Sequence, residues 1–431
     1  MGFKSEIIQD VINDFEVDKE NMLRIAILFK ETMEKSLNGE KTCLKMIPSY
    51  IGKPTGKEQG TFMAIDMGGT NFRCTKYKIC NGSFDKVAEI KHKLINKEEN
   101  YDLTKSDIDE KQLFGFMAES IGKLLDPGES LYLGNTFSFP CRQEGINDAY
   151  LIQWTKEITT SGVEGNNINK LLEQALKAKN VNVKPVAILN DTVGTLLVAM
   201  YGYQTADIGS IMGTGHNTCY LENNHPLTGK KMIVNTESAS YNVGLPFTKY
   251  DEIIDKNSQV PGTQLLEKMV SGYYMGSLLK EACRDLYQNK AIFTSENVNT
   301  DAFFSQDITA LMVENFILYP NKTKEQYNCT LEDAEVIKKV SEAILKRAVR
   351  LVAVSHMGIL FHQENSGTSV KNKHVIAIDG TIYEKMPNAP KLMEEAFKEA
   401  LGDDASNIEI KLVKDGSGLG AAIAAAFAVT Q

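Results

Sequence analysis

Hydrophobic and polar positions along this chain alternate between the period of a helix and the period of a strand. Residues 3–38 have apolar side chains at helical spacing, whereas Phe62–Met67 and Phe72–Ile79 show strand-like alternation. The same two patterns predict strands at 86–94, 131–137, 185–189, 208–212, 217–221, 232–234, 375–378 and 408–413, and helices at 112–125, 167–179, 193–203, 262–288, 301–315, 332–363, 389–401 and from Leu419. Strands mixed with helices in this way indicate an α/β fold. Residues 47–59, which contain Pro and Gly, are predicted to be a linker.

The segment between the first two strands is predicted to be a hairpin turn whose tip has no side chains. Its glycines, Gly68 and Gly69, can take positive φ and let backbone N–H groups approach a ligand. Thr70 and Arg73 flank the turn, a composition that is typical of a phosphate-binding site. A turn that only reverses the chain could have the same residues, so both interpretations stay open on this segment alone.

Two later strands end in a similar way. Ile211–Thr214 and Ile378–Thr381 each place an apolar strand before Gly-Thr, as the first hairpin does. Because ligands of α/β proteins bind at the carboxyl ends of strands, these loops are predicted to share one site. The first two loops lie far apart in the sequence, so a cleft between two domains could bring them together.

Asp191 lies between a predicted buried strand and a predicted helix, beside Asn190. A carboxylate held at a strand end can accept a proton from a substrate hydroxyl, as the catalytic aspartate of kinases does. Asn190 could then hydrogen-bond the same substrate. Aspartate is also a preferred N-cap, so a purely structural role for Asp191 is the alternative.

Three further charged side chains have candidate roles. Lys156 follows Thr155, and in a cleft it could balance the charge on a transferred phosphoryl group, although most lone lysines are solvated. Glu237 and Glu267 could accept hydrogen bonds from neighbouring sugar hydroxyls, although isolated acids are most often surface residues. The six histidines have no metal-site spacing, so no protein-only metal site is expected.

The glycine-rich segment 416–420 follows a predicted strand and opens a helix, as a dinucleotide fingerprint does. That fingerprint needs a further strand with an acidic residue about 20 positions on, and the sequence has none. We therefore expect no NAD site here. A helix N-terminus that faces a nucleotide remains compatible with the pattern.

Composition narrows the function classes. A chain of 431 residues exceeds what one core usually supports, so two domains are expected. The net charge of −9 argues against a nucleic-acid partner, because no broad basic surface is available. Seven cysteines without a C-x-x-C pair suggest reduced thiols, and no apolar run is long enough to span a bilayer. We expect a cytoplasmic protein with no membrane insertion.

Taken together, these segments resemble the hexokinase family, within the superfamily of sugar kinases, Hsp70 and actin. The resemblance is densest at residues 65–73, 137–140, 154–156, 186–195, 211–222, 267–276, 377–383 and 416–422. It implies an α/β, two-domain actin-like ATPase (ribonuclease H-like) fold with a cleft between a small and a large domain. The small domain would contain residues 60–187 plus 418–431, and the large domain residues 1–59 plus 188–417.

The resemblance also implies an activity and its site. The activity would be ATP-dependent phosphorylation of D-glucose, and of other hexoses such as mannose or fructose, at the 6-hydroxyl, as in the first step of glycolysis. Asp191 would be the general base and Lys156 would stabilise the transferred charge. The hexose would contact Ser138, Thr155, Lys156, Asn190, Asp191, Asn217, Glu237 and Glu267. ATP would contact Gly68, Gly69, Thr70, Asn71, Arg73, Thr214, Gly380, Gly416 and Ser417, and Mg2+ would be held by phosphates and waters with Asp66 in its outer shell.

Two departures from the family pattern leave questions open. Glu237 is followed by Ser-Ala-Ser-Tyr-Asn where the family usually has Trp-Gly-Ala-Phe-Gly, so we expect a reshaped sugar pocket. Leu419 replaces a residue that is often basic, which leaves the nucleotide base preference open. A hexose sensor without turnover and a kinase that uses polyphosphate are the alternative functions. The sequence leaves monomer and homodimer equally possible.

Overall fold

The computed structural model describes residues 2–80, 82–155 and 158–430, so the predicted site residue Lys156 lies outside the described residues. The strands are β1 (Ile47–Pro48), β2 (Gly60–Met67), β3 (Asn71–Cys80), β4 (Ser83–Lys93), β5 (Ile95–Asn96), β6 (Tyr101–Asp102), β7 (Leu131–Phe137), β8 (Cys141–Gly145), β9 (Asp148–Leu151), β10 (Val183–Leu189), β11 (Ala206–Met212), β12 (His216–Glu222), β13 (Met232–Asn235), β14 (His374–Asp379) and β15 (Ile408–Leu412).

Helices surround these strands. They are α1 (Gly2–Asn13), α2 (Lys19–Leu37), α3 (Glu110–Gly122), α4 (Ile168–Ala178), α5 (Asp191–Gly202), α6 (Lys249–Asn257), α7 (Leu265–Val270), α8 (Gly272–Gln288), α9 (Thr300–Ser305), α10 (Ala310–Leu318), α11 (Pro320–Tyr327), α12 (Leu331–Gln363), α13 (Thr381–Lys385), α14 (Ala389–Leu401) and α15 (Gly416–Thr430), with short 3-10 helices at Ser238–Ser240 and Gly402–Asn407. None of the helices in the described ranges combines the length and the apolar character needed to cross a membrane.

Two sheets organise the chain, and they share one topology. The first has the order β4-β3-β2-β7-β10, in which β2, β3 and β4 are antiparallel and β7 and β10 continue parallel to β2. The second repeats this order and these directions as β13-β12-β11-β14-β15, with β1 added beyond β13. The central strand of the shared order is β2 in the first sheet and β11 in the second, and each ends in a turn of the kind that the sequence singled out.

Helices α5 and α15 lie between the two sheets and share one apolar core with both of them. The alanine-rich stretch of α15 packs against β7 so closely that a Cβ at Gly134 would lie 1.8 Å from the Ala421 carbonyl oxygen. A second core surrounds the long helix α12, and a third lies beneath the first sheet. Burying each large apolar side chain of these cores contributes about 1.5–3 kcal/mol.

Most of the predicted elements are confirmed, but four predictions are wrong in part. The helix expected at 301–315 is two helices, α9 and α10, separated by residues 306–309. The expected linker at 47–59 contains β1, which pairs with β13. The loop-rich stretch after β7 forms the hairpin β8–β9. The helix expected at 262–288 is broken at Ser271, where the Gly272 N–H donates to the Gly213 carbonyl (2.9 Å) in place of a bond within the helix.

Candidate active site

The turn between β2 and β3 leaves open space at its tip. Gly68 does not adopt the positive φ that a glycine can take, and a Cβ at this position would meet no atom within 4 Å. The Gly68 N–H closes the turn by donating to the Asn71 carbonyl (3.1 Å), and Thr70 is exposed. The turn therefore has room for a ligand beside its backbone.

Arg73 connects this hairpin to the beginning of α15. Its guanidinium forms an ion pair with Asp66 (3.0 Å) and a second one with Asp415, the residue before α15. The Tyr77 hydroxyl donates to the other oxygen of Asp415 (2.7 Å). Burial raises the pKa of Asp66, and Arg73 opposes that shift. Arg73 thus holds two carboxylates beside the predicted nucleotide loops.

Helices α5 and α15 cross at glycines, and their N-termini meet as a result. A Cβ at Gly420 would lie 2.3 Å from the Gly194 Cα, and a Cβ at Gly194 would lie 2.8 Å from the Gly416 carbonyl oxygen. Asp191 and Gly416 are the first residues of the two helices. Because helix N-termini carry partial positive charge and unpaired N–H groups, their convergence creates a place that favours an anion.

The loops after β11 and β14 pack backbone against backbone at the same place. Gly380 has φ 126°, and a Cβ there would lie 2.4 Å from the Met212 carbonyl oxygen. Thr214, at the tip of the β11–β12 turn, is exposed. Ser417, in the first turn of α15, is fixed through its carbonyl, which accepts a hydrogen bond from the Thr136 hydroxyl (2.8 Å). The predicted nucleotide loops are therefore neighbours in space.

Asp379 belongs to this group, although the sequence did not single it out as a site residue. Burial raises its pKa, the backbone N–H groups of Gly380 and Gly416 oppose that shift, and the nearby charges of Asp191 and Asp415 raise the pKa further. Its position in the Ile378–Thr381 repeat was the signal that could have identified it. Within the described residues, no group of three or more His, Cys, Asp or Glu side chains is arranged to hold a metal ion directly.

Asp191 begins α5 without being its N-cap, which corrects the structural alternative considered above. Asn190 is the N-cap, and its side chain accepts from the Thr192 N–H (2.9 Å). The Asp191 carboxylate also accepts from that N–H (2.8 Å), and its second oxygen accepts from the Ser138 hydroxyl at the end of β7 (3.2 Å). The side chain is only partly buried. The Thr192 N–H and the Ser138 hydroxyl therefore fix the orientation of the Asp191 carboxylate.

A chain of amides leads from Asp191 to Glu237. The Asn217 Nδ2 lies 3.3 Å from the Asn190 Oδ1 and 2.9 Å from the Asn235 Oδ1. The Asn235 Nδ2 in turn donates to the Glu237 Oε1 (2.7 Å). Asn235 was missed in the sequence, because its place in the network depends on the pairing of β12 with β13.

Two glutamates complete this side of the site. Glu237 has left-handed backbone geometry with φ 55°, and Glu267 accepts a hydrogen bond from the His216 N–H (3.1 Å). Burial raises the pKa of Glu237, its hydrogen bond from Asn235 opposes the shift, and the charges of Asp191 and Glu267 raise the pKa further. The structure therefore brings these three carboxylates together, as the predicted hexose site requires.

Thr155 is placed by the aromatic residue before it. The Trp154 indole packs edge-on against Phe139, with ring centroids 4.9 Å apart, and its Nε1–H donates to the Thr160 carbonyl (2.8 Å). Phe139 directly follows Ser138, so this packing fixes Thr155 relative to the end of β7. Thr155 itself is partly buried.

His216 is a buried histidine that supports the glutamates. Its Nδ1 lies 3.0 Å from the Ile211 carbonyl, so Nδ1 must carry the proton, and its Nε2 accepts from the Ser238 hydroxyl (3.3 Å) beside Glu237. Burial lowers the pKa of His216 to about 4. Burial also lowers the pKa of His356 on α12 to about 3, with a further contribution from His216.

Replacing His356 with leucine is expected to stabilise the protein, most strongly in acid. Both ring nitrogens of His356 are buried without a hydrogen-bond partner among the described residues. Below pH 6.5 the unfolded chain protonates this histidine while the folded chain does not. The contribution of His356 to the free energy of unfolding therefore falls by about 1.4 kcal/mol for each unit by which the pH decreases. His356→Leu should remove that loss, giving about 2 kcal/mol more benefit at pH 5 than at pH 8 in denaturant unfolding curves.

A second histidine on α12 provides a control of opposite sign. His362 bonds to Glu222 (2.8 Å) and Glu34 (3.3 Å), and these carboxylates raise its pKa against the effect of burial. Its contribution to stability is therefore complete below the unfolded pKa and is lost as pH rises through the folded pKa. His362→Leu should destabilise the protein most in acid. Equal effects of His356→Leu at pH 5 and pH 8 would contradict the account of His356.

Comparison with known proteins agrees with this geometry. Residues 7–201 and 207–427 match the two sequence families described as hexokinase. The chain is 33% identical to Hexokinase-1 of Schizosaccharomyces pombe over 97% of this chain and 90% of that one. It is 32% identical to Hexokinase-2 of Saccharomyces cerevisiae over 98% of this chain and 93% of that one.

Solved structures give the same result. A hexokinase from Schistosoma mansoni, complexed with glucose, superposes with a TM-score of 0.82 at 28% identity and covers 98% of this chain and 99% of that one. Another hexokinase crystal structure gives a TM-score of 0.87 over 99% of this chain and all of that one. The expected two-domain, actin-like ATPase fold is thereby confirmed. The chain belongs to the hexokinase family and is a hexose phosphotransferase.

Proposed function

We propose that this protein transfers the γ-phosphoryl group of ATP to the 6-hydroxyl of D-glucose or a closely related hexose, with Asp191 as the general base. The observation that carries the proposal is the position of the Asp191 carboxylate. It lies at the N-terminus of α5, close enough to Glu237 of the proposed hexose site and to Asp66 and Asp379 of the proposed nucleotide site for its charge to raise the pKa of each. One carboxylate can therefore contact a hydroxyl that faces a bound phosphate.

The hexose would be held by hydrogen bonds that fix its orientation. Carboxylates such as Glu237 and Glu267 accept from neighbouring hydroxyls, whereas Asn190 and Asn217 can both donate and accept. The hydrogen bond from the Ser138 hydroxyl would keep the Asp191 carboxylate oriented while Asp191 accepts the proton of the 6-hydroxyl. Thr155 would contribute from the other wall, and Lys156, outside the described residues, would balance charge on the transferred group.

The nucleotide would occupy the loops that meet beside α15. Its phosphates would lie against the turn from Gly68 to Asn71 and against the N-termini of α5 and α15, where N–H groups are available. Thr214, Gly380, Gly416 and Ser417 would form the remaining walls.

The negative charge around the proposed phosphate site would favour Mg2+. The pKa of Asp66 and that of Asp379 are each raised by burial and further by Asp191 and Asp415, so these four carboxylates concentrate negative charge. A divalent cation bound to ATP would relieve that repulsion and neutralise charge on the phosphates. Asp66 would hold it through water.

Each of the two large sheets would form the centre of one domain, and the two domains would move relative to each other. We assign residues 60–187 plus 418–431 to the small domain and residues 1–59 plus 188–417 to the large domain. Ser138 and Thr155 would then lie in the small domain, whereas Asp191, Asn217 and Glu237 would lie in the large one. Closure around the hexose would exclude water from the phosphoryl group and complete the site.

Replacing Arg73 with alanine is expected to raise the KM for ATP about tenfold while changing the KM for glucose less than twofold. Arg73 pairs with Asp66 and Asp415, so its loss would release the beginning of α15 and leave two carboxylates repelling the phosphates. Steady-state kinetics with each substrate varied in turn measures both constants. Equal changes in the two constants would contradict this role. Arg142→Ala, at an exposed side chain of the β8–β9 hairpin, is the control.

The substrate assignment can be tested with a coupled assay of the purified protein. Glucose, mannose, fructose and glucosamine are each offered with ATP and then with polyphosphate. The proposal expects turnover with ATP and with at least one of these hexoses. Hexose binding without turnover would indicate a sensor, and turnover with polyphosphate alone would indicate the other kinase class.

A further inference from the structure

Strand β15 forms one outer edge of the six-stranded sheet, and it pairs with β14 on one side only. The Val413 N–H donates to the Ile378 carbonyl of β14 (2.9 Å). Because backbone groups of alternate residues point to the same side of a strand, those of Glu409 and Lys411 also face β14. The backbone groups that face the open edge belong to Ile408, Ile410 and Leu412.

This edge is uncovered within the described part of the chain. Among its outward backbone N–H groups, the one of Ile408 is used by the Ala405 carbonyl, and no backbone partner is present for those of Ile410 and Leu412. A cavity of about 320 Å³ runs beside the strand, between it and Phe397 of α14. Leu412 is 40% exposed. An edge strand with unpaired groups and an exposed apolar side chain is a template for another strand.

The sequence of β15, Ile-Glu-Ile-Lys-Leu, is complementary to itself in the antiparallel direction. A two-fold axis through Ile410 places Glu409 opposite the partner's Lys411, and Ile408 opposite the partner's Leu412. Glu409 and the partner's Lys411 would occupy a non-hydrogen-bonded position of the antiparallel ladder, where opposite side chains approach most closely. Opposite charges at such positions stabilise strand pairing, and like charges destabilise it.

The two charged side chains are already held on one face of the strand. Glu409 and Lys411 form an ion pair within the chain, and the Lys411 ammonium lies 5.3 Å from the centre of the Tyr203 ring. Exchanging partners across a two-fold axis would keep both charges paired. The same contact would be used by both copies, as closed two-fold dimers require.

We propose that two copies of this chain associate through β15, antiparallel about Ile410, so that their two sheets become continuous. Ile410 exchanges both of its backbone hydrogen bonds with the partner's Ile410. The Leu412 N–H donates to the carbonyl of the partner's Ile408, and the exposed Leu412 side chain covers Ile408 across the interface. This association does not depend on the proposed reaction, because none of these residues belongs to the active site.

Charge reversal tests this interface directly. Sedimentation velocity of the full chain over a range of concentrations should give a species of twice the 47.8 kDa chain mass. Glu409→Lys and Lys411→Glu should each raise the dimer dissociation constant about fourfold or more, because each places like charges opposite one another at both symmetry-related pairs. An equimolar mixture of the two variants should dimerise again, since the reversed strands complement each other.

Glu173→Lys, which reverses a partly exposed acid on α4 paired with Lys177, is the matched control and should leave the dimer intact. Unchanged hexose phosphorylation in every variant reports that each one is folded. The proposal is overturned by a wild-type monomer at all concentrations or by single variants that dimerise as the wild type does. A mixture that stays monomeric also overturns it, and any of these results would leave the edge to a different partner.

Discussion

Asp191→Asn is expected to lower kcat by about 10²- to 10⁴-fold, which is the usual contribution of general base catalysis. Asparagine has the same shape: its Oδ1 can accept from the Thr192 N–H, and its Nδ2 can donate to the Ser138 hydroxyl oxygen. The geometry of the site should therefore survive while the proton acceptor is lost. Equilibrium binding of glucose should change by less than about threefold, because positioning does not require the carboxylate charge.

Asp301→Asn is the control for this substitution. Asp301 also lies in the first turn of a helix, α9, but is exposed and outside the site. Its replacement should leave both kcat and glucose binding unchanged. If Asp191→Asn kept near wild-type turnover, Asp191 would not be the base. If it lost glucose binding as well as turnover, its role would be to hold the sugar.

Glu237→Gln is expected to raise the KM for glucose about 10- to 100-fold and to leave the KM for ATP within twofold. Hydrogen bonds to a charged acceptor are worth about 1.5–3 kcal/mol, and the amide retains the shape of the side chain without its charge. Asn235 already donates to one oxygen of Glu237, so the other oxygen is the one available to the sugar. Glu173→Gln on α4 is the matched control, with no expected effect.

The pH dependence of the wild type supplies a second measurement on Glu237. Burial raises the pKa of Glu237 above that of an ordinary glutamate. As pH falls through that raised pKa, the carboxylate is protonated and glucose affinity should weaken, at a higher pH than a solvent-exposed glutamate would give. Glu237→Gln should lack this acidic decline in affinity. An identical pH profile in the variant would show that another group is responsible.

Much of the fold could be predicted from the sequence because local patterns and global structure agree. The alternation around Gly68 predicted the β2–β3 hairpin, and the helical spacing from residue 332 onward predicted α12 almost to its ends. Helix α8 is an informative failure. Its break from α7 at Ser271 depends on a contact with Gly213, which lies far away in the sequence, and no local pattern carries that information.

The residue types of the candidate site could be predicted from the sequence, but most of the contacts between those residues could not. Asp191 and Glu237 were candidates by residue type and position, and the resemblance assigned their roles, whereas Asn235 and His216 became visible only through strand pairing and burial. The partnership of Arg73 with Asp415 joins residues from opposite ends of the chain. Such contacts depend on how the two sheets face each other, which spacing along a sequence does not encode.

The most direct measurement of the central claim is the identity of the product. Purified protein is incubated with Mg2+, ATP and glucose, and phosphorus NMR follows the fate of the γ-phosphoryl group. A site in which Asp191 faces the 6-hydroxyl predicts glucose 6-phosphate in an amount equal to the ADP formed. Phosphate at another hydroxyl, or ADP with free phosphate and no sugar phosphate, would contradict the account.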